Sequence, residues 1–372
     1  MNPSQTGHAG LETIAEVDPD ALLGWLDEIG IHPTGTVSAA RVGTGQSNLT
    51  YLLSDEDGRR WVLRRPPLGH LLASAHDVAR EAKILNALAD TDVPVPKVYG
   101  VCTDENVSPV PLVVMEHVDA VVLDNLPAAE AIDIDTRRHI TESMVDTLAK
   151  IHAVDIDEVG LSDLASHSPY AQRQLKRWGT QWEKSKTREL PALDALTRRL
   201  AASIPEQHET RLVHGDFHIR NVMIDPETGD VRAALDWELA TLGDPLADIG
   251  STLAYWPSSD EPARSAAPVE LLDGFPSRDE IGAAYIARTG RDPKALEYWH
   301  ALGLWKVAII CEGVVRRAMD NPSNRAAAGV PTVQMVDMLI EKATEVADRA
   351  GLAEPDSSAP GSDIAPGVRP VS

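Results

Sequence analysis

From Arg211 to Glu238 the chain sets short apolar runs around a dense polar stretch, and this feature restricts the fold more than any other. Val222–Asp225 and Val231–Leu235 read as two strands, and the Pro-Glu-Thr-Gly segment between them is a turn. Reflection about the turn centre sets Val222 opposite about Ala233, so Asn221 and Asp236 come to the same end of the ribbon. An amide oxygen and a carboxylate would then meet at one point. Hard oxygen donors of this kind suit Mg²⁺, which takes one or two protein ligands and completes its shell with water and phosphate.

Asp216 precedes Asn221 by five residues, giving the H-x-D-x-x-x-x-N spacing with His214. In a kinase catalytic loop an aspartate so placed accepts or orients the substrate hydroxyl, and the asparagine and a later aspartate hold the metal. Two other readings stand beside this one. His214, Asp216 and His218 could be zinc ligands, although no distant cluster completes such a set and zinc would leave Asn221 and the hairpin unexplained. The stretch could also be a polar turn with no chemistry. His214 reads better as a residue that holds backbone than as one that reacts.

The rest of the chain supplies two unlike halves. Ala39 to Glu116 is strand-rich, with one helix over 74–90 that Ser74 or Asp77 could cap. After about Val118 helical periodicity dominates, over 135–154, 168–185, 191–204, 277–290 and 293–319. The organisation predicted is a partly disordered then helical segment (1–30), a β-rich N-lobe (31–117), a larger helical C-lobe (118–352) and a disordered tail (353–372) rich in Pro, Ser, Gly and Asp. The fold class is α+β and bilobal.

With 372 residues, 43% of them hydrophobic, the chain can bury a substantial core. The net charge of −23 argues against non-specific nucleic-acid binding and against an anionic membrane surface. No apolar run reaches the ~20 residues of a membrane span. Cys102 and Cys311 lie far apart without CxxC spacing, which argues against a disulfide framework or a structural zinc site. The first twenty residues lack the pattern of a secretory signal, so the expected location is cytoplasmic.

"VHGDFHIRNVMID" together with "ALDWELATLGDPLAD" resembles the aminoglycoside phosphotransferase and choline kinase group of small-molecule kinases, over about Ala39 to Asn324. The resemblance implies a protein-kinase-like fold with ATP and Mg²⁺ between the lobes. It makes Asp216 the catalytic base or orienter, Asn221 and Asp236 the Mg²⁺ ligands, and Asp248 a brace for the catalytic loop. Glu238 would assist a second metal or face substrate, and His218 and Arg220 would lie beside the chemistry. On the nucleotide side, Gly43 and Gly45 fall where such kinases cover phosphate with a loop. A lysine on the third strand is absent, and Arg64 or Arg65 takes its place. Strand alternation lets only one of them face the cleft, and alignment of "VLR" selects Arg64. Glu81 is its expected partner. Backbone groups at Glu116 and Val118 would meet adenine, with Met115 lining the pocket.

Only seven residues separate Asp236 from the helix cap at Asp244, which leaves no long activation loop for docking a polypeptide. The acceptor is therefore a small hydroxylated molecule. Flanking segments, "VLRRPP", "YAQRQLKRW" and "WKVAIICEGVVRR", resemble the branch associated with acyl-CoA dehydrogenases. That branch implies a hydroxyacyl-CoA or another metabolic alcohol, and Arg173, Lys176 and Arg177 could meet an anionic CoA or form a solvated helix face. The alternatives are an aminoglycoside antibiotic kinase, a nucleotide-binding pseudokinase and a metal-dependent hydrolase.

Overall fold

A computed structural model describes residues 14–42, 48–67, 77–166, 168–259, 261, 268–320 and 331–353. The chain enters through helix α1 (Pro19–Glu28), started by the Asp18 carboxylate on the Ala21 N–H at 2.8 Å and by Pro19 in its first turn. Strands β1 (Ser38–Val42), β2 (Leu49–Ser54) and β3 (Arg60–Arg65) follow, then helix α2 (Val78–Leu88) and strands β4 (Val98–Cys102) and β5 (Leu112–Glu116). The five strands form one antiparallel sheet in the order β1-β2-β3-β5-β4. Asp77 caps α2, and the alternative cap Ser74 lies outside the described residues.

Strand alternation gives this sheet two apolar faces. Leu63 and Trp61 of β3 and Leu112 and Val114 of β5 face α1, where Leu22 and Leu26 are fully buried against them. Burying each leucine stabilises by about 2 kcal/mol. Val113 and Met115 face the other way, toward Ala82, Leu85 and Leu88 of α2, and join the main core of the molecule.

The larger, helical part carries α3 (Leu126–Glu130), α4 (Ile134–Ala153), α5 (Tyr170–Ser185), α6 (Pro191–Ala202), strands β6 (Arg211–Val213), β7 (Val222–Ile224), β8 (Val231–Ala234) and β9 (Thr241–Gly243), then α7 (Pro245–Tyr255), α8 (Arg278–Thr289), α9 (Pro293–Asp320) and α10 (Val333–Arg349). The sequence reading names neither β9 nor α10. The second is an amphipathic helix whose Val336, Leu339, Ile340, Ala343 and Val346 pack into the core. α7 and α9 cross in close contact because both carry glycine there. A Cβ on Gly303 would come within 2.6 Å of the Gly250 carbonyl oxygen, and one on Gly250 within 2.5 Å of the Trp299 backbone.

The four short strands position the site. β6 pairs antiparallel with β9, and β7 pairs antiparallel with β8. The second hairpin is thus nested inside the first pairing, so the connections 214–221 and 235–240 are tied at both ends and lie side by side. The predicted hairpin register is corrected by one residue. Val222 pairs with Ala234 rather than Ala233, and a bulge between Met223 and Ile224 absorbs the difference.

Candidate active site

The loop from His214 to Asn221 is held by its backbone. Asp248, one turn into α7 and 1% exposed, accepts from the N–H groups of both His214 and Gly215, the latter at 2.8 Å. His152 of α4 donates its Nε2–H to the same carboxylate at 3.2 Å, and its Nδ1 accepts from the Tyr285 hydroxyl at 2.7 Å. Burial holds His152 below the ordinary imidazole range and so neutral, which fits that tautomer. Burial would raise the Asp248 carboxyl, but the His152 bond and the Gly215 N–H outweigh it and keep the group ionised.

His214 is fully buried and neutral for the same reason. Its Nε2 donates to the Leu235 carbonyl at 2.9 Å, and its Nδ1 accepts from the Asp216 N–H at 3.3 Å. Both ring nitrogens are engaged, which removes His214 from any zinc set. Among the described residues no group of three His, Cys, Asp or Glu side chains is arranged to hold a metal.

Gly215 has φ +83°, and a Cβ there would meet the Leu239 carbonyl oxygen at 2.6 Å. Only glycine lets the loop turn this tightly against the neighbouring connection. The Gly215 carbonyl accepts from the Lys306 ammonium at 2.7 Å. Lys306 is buried on α9 within the apolar run "LGLWKVAII", and a lysine inside such a run is the signal that sequence reading passed over.

Asp216 is then aimed by its neighbours. The Asn221 amide donates to its carbonyl at 2.9 Å and to its carboxylate at 3.2 Å. His218 Nε2 stands 3.5 Å from the same carboxylate, while its Nδ1 accepts from the Arg220 N–H at 3.3 Å. Tyr255, at the end of α7, packs its ring in a tilted contact against His218, 4.7 Å between centroids, and burial together with the nearby Asp216 charge pushes its hydroxyl well up. Burial works to raise the Asp216 carboxyl. The His218 contact and the Lys306 cation outweigh it and hold the group well below the usual carboxylate range. Arg220 is drawn aside toward Glu270, 3.8 Å away. Tyr255 and Lys306 both reach the site from helices distant in sequence, and neither was among the residues predicted for it.

Across the nested hairpins the Leu235 N–H donates to the Asn221 carbonyl at 2.8 Å, which brings Asp236 beside Asn221. Asp236 adopts a left-handed backbone, φ 62° and ψ 63°, tolerated by a short polar side chain at about 1 kcal/mol. Arg64 joins the two lobes here, with Nη1 at 2.7 Å from Glu81 and Nη2 at 3.1 Å from Asp236. Glu81 also accepts from the Trp237 N–H at 3.2 Å. Burial lifts the Glu81 carboxyl above its ordinary value, with the Arg64 cation opposing. Arg65 faces the other side of the sheet, fully buried, where it donates to the Ala15 carbonyl and pairs with Glu16 at 3.1 Å. Arg64 is therefore the cation presented to the cleft.

Of the remaining expected residues, Gly43 and Gly45 lie outside the described residues. Met115 is buried behind the cleft. The Glu116 N–H is already taken up, donating to Lys97 at 2.8 Å, and the Val118 carbonyl accepts from Ala120 at 3.1 Å. Glu238 follows Asp236 in a short 3₁₀ turn, and its carbonyl accepts from Arg80 at 3.4 Å.

The model of the phosphotransferase enzyme family matches residues 38–297. Acyl-CoA dehydrogenase family member 10 of Mus musculus is 34% identical over 339 residues, covering 88% of this chain and 31% of that protein. The chain thus spans about a third of that relative's length. A solved structure of a candidate aminoglycoside phosphotransferase from Ralstonia eutropha superposes with a TM-score of 0.74 at 32% identity, over 88% of this chain and 99% of the other. Choline kinase from Cryptosporidium parvum shares the fold at 10% identity, with a TM-score of 0.60 over 92% and 99% of the two chains.

Proposed function

The chain belongs to the phosphotransferase enzyme family, and from that premise we propose that it transfers the γ-phosphoryl group of ATP, with Mg²⁺, to a hydroxyl of a small molecule. The observation that carries this reading is the convergence of Asp216, Asn221 and Asp236 on one point, with Arg64 pairing to both Glu81 and Asp236. The donor set fits the ion. Asp236 offers a carboxylate and Asn221 an amide oxygen, because the amide nitrogen is turned to Asp216. Held by Asp236 and Asn221, Mg²⁺ would supply positive charge against the charge that develops on the phosphates.

Asp216 stays ionised at neutral pH and accepts a hydrogen bond from the acceptor hydroxyl. A carboxylate held this low is a weak base, so its part is to aim the oxygen. That suffices for a loose phosphoryl-transfer transition state, in which little proton transfer is needed before the new P–O bond forms. Arg64 serves in place of lysine. Its planar fork spans Glu81 and Asp236 together and leaves its outer N–H groups for nucleotide phosphate. Backbone groups at Glu116 and Val118 would receive adenine, with Met115 behind it.

The acceptor we favour is a hydroxyacyl-CoA or another metabolic alcohol. The likeness to an acyl-CoA dehydrogenase family member supports it, and so does the positive charge described below, which disfavours a cationic aminoglycoside. The test is ATP turnover with Mg²⁺ over a panel of hydroxyl compounds, read by product mass. Asp216→Ala should reduce transfer by about a thousandfold or more while sparing nucleotide binding. Full activity in that variant would refute the assignment.

A further inference from the structure

Against the −23 charge of the whole chain, one face is locally basic. A cleft of about 530 Å³ opens between α2 and α5, lined by Arg80, Arg173 and Arg177 together with Asp77, Glu238 and residues 239–241. It continues along α5 into a groove of Arg173, Lys176, Arg177 and Lys184 with no carboxylate in its lining. The two together hold five cations against two carboxylates, and one of those, Asp77, is occupied in capping α2. Arg80 and Arg173 donate to backbone carbonyls, Arg80 to Ala240 at 2.6 Å and Arg173 to Leu242. The Arg173 Nε–H is buried without a partner. Arg177 lies against the Trp178 ring; burial lowers the Arg80 pKa, the Asp77 carboxylate opposes this, and the nearby Arg177 charge adds to the lowering. Repelling cations held together by packing are a device for binding an anion.

The cleft also adjoins the reaction centre. Its floor is the segment that follows Asp236. Trp178, next to Arg177 on α5, receives the Lys306 ammonium on its ring at 5.6 Å, and that ammonium bonds the carbonyl beside Asp216. We infer that this cleft is a phosphate-binding subsite, in which Arg80, Arg173, Lys176 and Arg177 hold a phosphate group of the acceptor while its hydroxyl reaches Asp216. The assignment to the acceptor rests on the phosphotransferase reading; the anion site itself does not.

Calorimetry with pyrophosphate tests it, with the nucleotide site first filled by Mg²⁺ and the non-hydrolysable AMP-PNP. Saturable pyrophosphate binding is expected, weakened by about tenfold or more in the exposed-site variant Lys176→Glu/Arg177→Glu, with AMP-PNP affinity unchanged. No second binding event, or one indifferent to the substitutions, overturns the site. The kinetic arm offers the same hydroxyacyl thioester on coenzyme A and on pantetheine, which carries no phosphate. A preference of about tenfold or more in kcat/KM for the phosphorylated carrier, lost in the variant, is the expected result. Equal use of both carriers, with pyrophosphate still bound, overturns the acceptor assignment and leaves a site for free phosphate. If neither thioester is turned over but pyrophosphate binds as described, the proposed acceptor fails and the anion site stands.

Discussion

Arg64→Met is the most informative single substitution. Methionine keeps the bulk of the stem and removes the charge that pairs with Glu81 at 2.7 Å and Asp236 at 3.1 Å. The Glu81 side chain is 3% exposed and Arg64 16%, so this is a buried pair in which removing one partner strands the other. Breaking such a pair costs about 3–5 kcal/mol. Two features moderate the loss: Glu81 retains the Trp237 N–H, and it can take up a proton. The net expectation is about 3 kcal/mol near pH 8.

The proton uptake gives this prediction a sign. Burial already raises Glu81, and loss of the opposing Arg64 charge raises it further. A carboxyl whose folded pKa exceeds its unfolded value binds more protons when folded, so stability falls as pH rises from the unfolded pKa through the folded one. The destabilisation of Arg64→Met relative to wild type should therefore be smallest near pH 5 and grow toward pH 8, by about 1–2 kcal/mol. Urea unfolding at several pH values measures it, and titration with Mg²⁺ and AMP-PNP should show nucleotide affinity down by about tenfold or more. A destabilisation that is flat with pH, or wild-type nucleotide affinity, would refute the argument that this arginine is the charge partner of Glu81 and the phosphate-facing cation.

Asp236→Asn preserves the left-handed backbone but not the charge, so Mg²⁺-dependent nucleotide binding should weaken by about tenfold or more in a metal titration; unchanged metal dependence would count against Asp236 as a ligand. Gly215→Ala meets both the positive φ and the Leu239 carbonyl at 2.6 Å, and should lose about 2 kcal/mol or more in urea unfolding together with most of its activity. Asp244 caps α7 through the Leu246 N–H at 2.9 Å, yet burial pushes its carboxyl up to about 6. Its ionisation opposes folding as pH rises between about 4 and 6, so Asp244→Asn, which keeps the capping oxygen, should gain about 1–3 kcal/mol over wild type above that window and nothing below it. Equal stability of the two proteins at pH 4 and pH 8 would contradict that origin of the shift.

Much of the site was legible because its information is local. The Asp216 to Asn221 spacing lies in one loop, and the Pro-Glu-Thr-Gly turn returns the chain to Asp236 within fifteen residues of Asn221. Strand alternation likewise narrowed the cleft-facing cation to Arg64 or Arg65, since period two forbids both from facing the cleft. The fold class followed from the change of periodicity near Val118. The one-residue error in hairpin register came from a bulge, which reflection about a turn does not anticipate.

What the tertiary structure alone decided was every partner that arrives from another element. Lys306 bonds Gly215 across 91 positions of sequence, Tyr255 and His152 come from α7 and α4, and Arg80 meets Arg173 and Arg177 only because α2 and α5 face one another. No pattern of 2.0 or 3.6 residues encodes such meetings, since periodicity says which face of an element is buried and not what it is buried against. The sequence by itself determined which polar groups the loop carries and their spacing. Helix packing, fixed by side-chain volume and by glycines at the α7–α9 crossing, decided which charges surround that loop and so what kind of molecule it can receive.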